Sequence, residues 1–136
     1  MIKRIDHVAI AVEDLDESIE LFEKVLGLRM ARREHVAGHD VETATFDLGE
    51  TAIELVEGKG EGSAIRKFVE RRGPGIHHIA VAVEDIERTL AELRAKGVRL
   101  IDESPRPGRA HSRVAFIHPD STQKVLLELV QTEPEE

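Results

Sequence analysis

Cysteine is absent from this 136-residue chain, as are tryptophan and tyrosine. Without cysteine there is no disulfide framework, no thiol nucleophile and no thiolate ligand, and the reducing cytoplasm is the expected compartment. The aromatic set is four phenylalanines, too few for a platform that stacks nucleic-acid bases. Positive charge is also in deficit, 19 basic against 27 acidic residues for a net charge of −8. That balance argues against nonspecific binding to nucleic acid, and any polyanionic ligand must find a local basic patch. No apolar run approaches the roughly 18–20 residues of a membrane span. The opening residues, Met1 to Asp6, contain no apolar signal region.

What the chain does have is an internal repeat, and a repeat changes the fold reading. His7-Val8-Ala9-Ile10-Ala11-Val12-Glu13-Asp14 returns 71 residues later as His78-Ile79-Ala80-Val81-Ala82-Val83-Glu84-Asp85. The only changes are swaps between β-branched residues. A second pair of segments matches at a shift of 74, Ile53-Glu54-Leu55-Val56 against Leu127-Glu128-Leu129-Val130. Halves of this size are marginal alone, so they are expected to share one core.

Period-2 alternation predicts strands over Ile5–Val12, Arg29–Val36, Val41–Leu48 and Thr51–Val56 in the first copy. Asp14 reads as a helix N-cap, followed by the stripe Leu15, Ile19, Phe22, Val25, Leu26 and a stop at Gly27. Gly58 to Gly62 is a linker, and Ser63 caps a short helix through Phe68. The second copy repeats the plan: strand Ile76–Val83, cap Asp85, helix stripe Ile86, Leu90, Leu93, then strands Val98–Ile101, Val114–Ile117 and Val125–Val130. Pro105 to Ser112 is a loop. The acidic tail Thr132–Glu136 has no apolar residue and is expected to be disordered. The fold class is therefore α+β in a single domain over residues 1–136. Two βαβββ modules, about 4–57 and 75–131, are joined by a linker helix over 58–74. They are expected to form a curved eight-stranded mixed sheet around one site, with the helices outside.

His7, Glu54, His78 and Glu128 each interrupt an apolar strand. A lone histidine on a strand is most often structural, and a lone glutamate usually faces water. Recurrence in register in both halves is what argues otherwise. Two copies related by a pseudo-twofold would bring all four side chains into one concave space. Two imidazoles and two carboxylates make a mixed N/O set suited to Zn, Co, Mn, Ni or Fe, unlike a thiolate site or an all-oxygen calcium site. An octahedral ion would keep two positions open for substrate oxygens. His77 should point away from His78, and Glu42 toward solvent.

Tandem βαβββ modules with His and Glu at these places resemble the vicinal oxygen chelate superfamily, which includes glyoxalase I, extradiol dioxygenases and bleomycin-binding proteins. The likeness runs from Ile5 to Val130. Within the superfamily the chain looks most like the methylmalonyl-CoA epimerases, on Ile5-Asp6-His7-Val8, Arg72-Gly73-Pro74-Gly75-Ile76-His77-His78-Ile79-Ala80, Phe116-Ile117-His118-Pro119 and Leu127-Glu128-Leu129. Two stretches depart from that pattern: Arg109-Ala110-His111-Ser112 stands where a glycine-rich run is usual, and Asp120 and Lys124 replace other loop residues. The resemblance implies divalent-metal ligation by His7, Glu54, His78 and Glu128, and inversion of the α-carbon of methylmalonyl-CoA through a metal-stabilised enolate. It implies Glu54 and Glu128 as the proton-transfer groups and a homodimer as the assembly. Arg109, Arg113 and Lys124, with Arg66, Lys67 and Arg106 behind them, are the candidates for the acyl-CoA phosphates. A glyoxalase I-type lactoylglutathione lyase and a non-catalytic drug-binding relative are the alternatives.

Overall fold

The computed structural model describes residues 1–132; the expected tail lies outside the described residues from Glu133 on. Eight strands form one mixed sheet: β1 (Ile2–Ala11), β2 (Met30–Val36), β3 (Val41–Leu48), β4 (Thr51–Gly58), β5 (Gly75–Val83), β6 (Arg106–Pro107), β7 (Arg113–Ile117) and β8 (Leu127–Gln131). Their order across the sheet is β2-β3-β4-β1-β5-β8-β7-β6. Three helices, α1 (Leu15–Glu20), α2 (Ala64–Arg72) and α3 (Ile86–Ala95), complete the βαβββ repeat and its linker. By contact the chain makes two compact units, His7–His77, and Met1–Asp6 together with the residues from His78 on. No helix among the described residues is long and apolar enough to cross a membrane.

In the unit His7–His77, β1 runs parallel to β4, with Ala9 opposite Glu54 and Ala11 opposite Val56. β3 pairs antiparallel to β4 and to β2. Alternation then sorts the side chains. Val12, Ala44, Phe46 and Leu55 face α1, where they pack with Leu15 and Ile19. Phe46, Leu15 and Leu55 are fully buried, and each such side chain contributes about 1.5–3 kcal/mol of burial free energy. Asp14 caps α1 by accepting from the Glu17 amide at 3.0 Å. The Glu57 carboxylate, at the end of β4, accepts from the Leu15 amide at 2.7 Å and so ties helix to strand. On the other face Ala9, Ala11, Val41 and Val56 pack under Ile65 of α2, with Phe68 and Val69. The linker helix therefore lies on the side of the sheet that carries His7.

One detail of this unit differs from the sequence pattern. α1 gives way at Leu21–Val25 to a π-helical turn, closed by Leu26 N–H donating to Leu21 O at 3.1 Å. The extra residue in the turn breaks the helical stripe, and Val25 and Leu26 end up exposed while Leu15 and Ile19 stay buried.

The second unit repeats the plan. β5 runs parallel to β8 with Ala80 opposite Glu128, the counterpart of Ala9 opposite Glu54. Val81, Val83, Ala115, Ile117 and Leu129 pack against Ile86 and Leu90 of α3. Asp85 caps α3 through the Arg88 amide at 3.1 Å, and Gln131 takes the role of Glu57, accepting from the Ile86 amide at 2.8 Å. The expected strand over Val98–Ile101 shrinks to a single bridge, Leu100 to Ile117. The Asp102 side chain accepts from the Phe116 amide at 2.8 Å and takes that place on the strand. The ladder resumes at β6, which two prolines limit to two residues. Val125 and Leu126 also fall outside β8, because Gln123 and Lys124 turn the chain in left-handed conformations, φ 58° and 68°.

Gly58 ends β4. A Cβ there would stand 2.4 Å from Ser63 Oγ and 2.6 Å from the Arg66 amide nitrogen, at the capped start of α2. Gly58→Ala should lift that end of α2 and cost about 1–3 kcal/mol, measured by urea denaturation. Unchanged stability would mean that α2 is not seated on β4 in this way.

Candidate functional site

Parallel pairing places a histidine and a glutamate side by side in each unit. His7 stands two residues before Ala9 on one face of β1, and Ala9 is the register partner of Glu54. The result is His7 Nε2 at 3.8 Å from Glu54 Oε2, with both side chains more than nine-tenths buried. The same construction on β5 and β8 puts His78 Nε2 at 3.6 Å from Glu128 Oε1, again with both side chains buried. Ala9, Ala11, Ala80 and Ala82, the small residues that share these faces, are themselves buried.

Both separations are too long for a hydrogen bond, which wants about 2.7–3.2 Å. They are close to the spacing of two donors of one cation, since ligands at about 2.0–2.2 Å in a tetrahedral arrangement lie roughly 3.4 Å apart. Burying a carboxylate costs several kcal/mol unless it is compensated, and the chain buries one at the matching position of each unit. Nitrogen and oxygen donors in buried pairs fit a divalent transition metal.

The surroundings differ between the units. Beside Glu54, the register partner on β3 is Thr45, and Thr43 lies opposite Val56. Both threonines are almost fully buried, and neither hydroxyl has a hydrogen-bond partner among the described residues. Neither stands out in the sequence, because a threonine in an alternating strand carries no signal beyond strand propensity. Beside Glu128 the partner is Phe116, whose ring stands edge-on to the His78 ring at 5.2 Å. The Arg106 guanidinium carbon lies over the Phe116 ring, 5.8 Å from its centroid. His77, as strand alternation requires, turns away from His78 and stacks edge-on against Phe68 of α2 at 5.0 Å.

The basic residues expected to meet a polyanion are placed less freely than their sequence positions imply. Arg109 is 85 % buried, since its side chain keeps 15 % exposure, and it pairs with Asp6 at 3.5 Å. Arg113 points toward α3 and pairs with Glu87. Lys124 is exposed and pairs with Asp120, whose carboxyl it holds below the usual carboxylate range. Glu42 bonds Arg33 at 3.1 Å, on the side of β3 away from Thr43 and Thr45. The loop before β7 is held by Ser112, whose hydroxyl donates to Arg109 O at 2.7 Å. Ala110 and His111 within it take left-handed conformations, φ 51° and 60°, which costs a residue with a Cβ about 1–2 kcal/mol.

Thr45→Val keeps the shape and removes a buried hydroxyl. Its melting temperature should match or exceed that of the parent, by up to about 1–2 kcal/mol of stability. A clear loss would mean that the hydroxyl is hydrogen-bonded in solution.

Comparison with known proteins bears on these pairs. The family described as the Glyoxalase/Bleomycin resistance protein/Dioxygenase superfamily matches residues 6–116. The mitochondrial methylmalonyl-CoA epimerase of Dictyostelium discoideum is 38 % identical over 129 residues, covering 94 % of this chain and 78 % of that protein. The crystal structure of methylmalonyl-CoA epimerase from Mycobacterium tuberculosis is 38 % identical with a TM-score of 0.94, covering 98 % of this chain and 90 % of that one. A methylmalonyl-CoA epimerase in complex with methylmalonyl-CoA and NH4+ superposes with a TM-score of 0.95 at 34 % identity, covering 100 % and 99 % of the two chains.

Proposed function

The chain belongs to the glyoxalase/bleomycin resistance protein/dioxygenase superfamily, and we propose that within it this protein is an epimerase that inverts the α-carbon of methylmalonyl-CoA. In this reading His7, Glu54, His78 and Glu128 hold one divalent cation between them. The observation that carries it is the duplicated buried donor pair, 3.8 Å in one unit and 3.6 Å in the other. The likeness to named epimerases over nearly the whole chain supplies the substrate.

When bound, the cation supplies Lewis-acid stabilisation for the negative charge that develops as the α-proton leaves. The chain's own residues do the rest. Inversion needs a proton to leave one face of the carbon and return to the other. The repeat provides two carboxylates for that exchange, Glu54 taking or giving the proton on one side and Glu128 on the other. On the His7 side, Ile65, Phe68 and Val69 of α2 cover the adjoining surface and exclude water, which strengthens every charge interaction beneath them. Arg109, Arg113 and Lys124 remain the candidates for the CoA phosphates, each exchanging an acidic partner for a phosphate. The expected homodimer rests on the same likeness and is checked by light scattering.

Metal-loaded protein in deuterated water should exchange the α-proton of methylmalonyl-CoA. Glu128→Gln keeps an oxygen donor and should retain the metal while exchange drops by roughly two orders of magnitude or more. His78→Ala should lose metal and exchange together. No exchange by the metal-loaded parent would overturn the proposal, and metal loss in Glu128→Gln would leave that residue a ligand only.

A further inference from the structure

We propose that Thr45 is a positioning residue whose hydroxyl donates to the Glu54 carboxylate once Glu54 ligates a cation, an inference that rests on the metal reading above. Antiparallel pairing of β3 with β4 sets Thr45 directly opposite Glu54. Side chains paired in this way have Cβ atoms about 4.5–5.5 Å apart, and here both are buried. The Thr45 hydroxyl has no hydrogen-bond partner among the described residues. On its other side β2 sets Arg32 opposite Thr45. That guanidinium carries donors only and already pairs with Glu34 at 3.5 Å. Of the two residues paired with Thr45 across the sheet, Glu54 is therefore the one that accepts a proton from a hydroxyl.

A carboxylate that ligates through one oxygen keeps the other as an acceptor, and a hydrogen bond to that second oxygen orients the first. A hydroxyl suits the task. Its bond to an ionised carboxylate is charge-assisted, and being neutral it leaves the carboxylate's charge to the cation. Without a cation the hydroxyl brings the fold nothing, since an apolar side chain of the same shape is as stable there or more so. Val41 and Val56 pack on this face in that way, under Ile65. Thr43 is the built-in comparison. Its hydroxyl is as deeply buried and also lacks a partner among the described residues, yet it stands opposite Val56. That position lies along β4 on the side away from His7, toward which Glu54 is turned. In the second unit the residue opposite Glu128 is Phe116, which has no hydroxyl to give.

Cobalt(II) is the probe. Its dissociation constant is measured by titration calorimetry on the full chain after treatment with a chelator, and melting curves are taken on the same metal-free protein. Thr45→Val should weaken cobalt binding by about 10- to 100-fold, while its metal-free melting temperature matches or exceeds that of the parent. Thr45→Ser keeps the hydroxyl and should bind within about threefold of the parent. Thr43→Val removes a hydroxyl that does not face Glu54 and should change the affinity less than about twofold. If Thr45→Val binds cobalt as the parent does, or if Thr45→Ser or Thr43→Val loses as much as Thr45→Val, the inference fails and the metal reading stands. A lower metal-free melting temperature in Thr45→Val also overturns it, because the hydroxyl would then be bonded without the cation. A parent that takes up no cobalt removes both.

Discussion

Parallel pairing of β1 with β4 decides where every polar group of the first unit goes. The register that sets Ala9 against Glu54 also sets Ile10 against Leu55, so one face gathers branched aliphatics and the other gathers histidine, glutamate and alanine. A slip of one residue would reverse both faces, turning Glu54 into the packing surface of α1. Each unit ties its strand to the helix behind it. Glu57, three residues beyond Glu54, accepts from the first amide of α1, and Gln131, three beyond Glu128, does so for α3. The capping acceptor thus fixes the strand that carries the candidate site to the helix behind it.

The two units use the same scaffold with different linings. In the first, hydroxyls from Thr43 and Thr45 share the face of Glu54, and α2 covers the adjoining alanines. In the second, an aromatic ring and an arginine take those places, with Val114 and Val130 packed on Ala80 and no helix in that cluster. Duplication accounts for the common part, the His–Glu pairs. The surroundings of those pairs diverge, and the differences fall beside the glutamates.

Much of this was readable in the amino-acid sequence. The matched segments around His7 and His78 gave the repeat, the strands and the helix caps Asp14 and Asp85, because each depends on local periodicity or local hydrogen bonding. The second match marked one glutamate in each half, and the parallel register is what sets each beside a histidine of its own unit. What was not readable came from contacts distant in sequence. The π turn at Leu21–Val25 breaks a stripe that looks continuous on a helical projection. Asp102 replaces a backbone partner at Phe116, and nothing near Asp102 in the chain announces it. Phe116 and Thr45 gain their meaning only from the residues opposite them. The burial of Arg109 against Asp6 joins positions far apart in the chain, so a basic loop residue expected to meet a phosphate turns out to be half of a largely buried ion pair.

The outermost strands, β2 and β6, have consequences for handling the protein. A sheet edge offers unpaired amides and carbonyls to any other chain. Here β2 carries Arg32, Arg33 and Glu34 in succession, and β6 is only two residues long and ends in proline. Both devices discourage a second molecule from adding a strand. Together with a net charge of −8 and the absence of cysteine, they describe a chain suited to high concentration, with no route to crosslinking by oxidation and little to gain from stacking edge to edge.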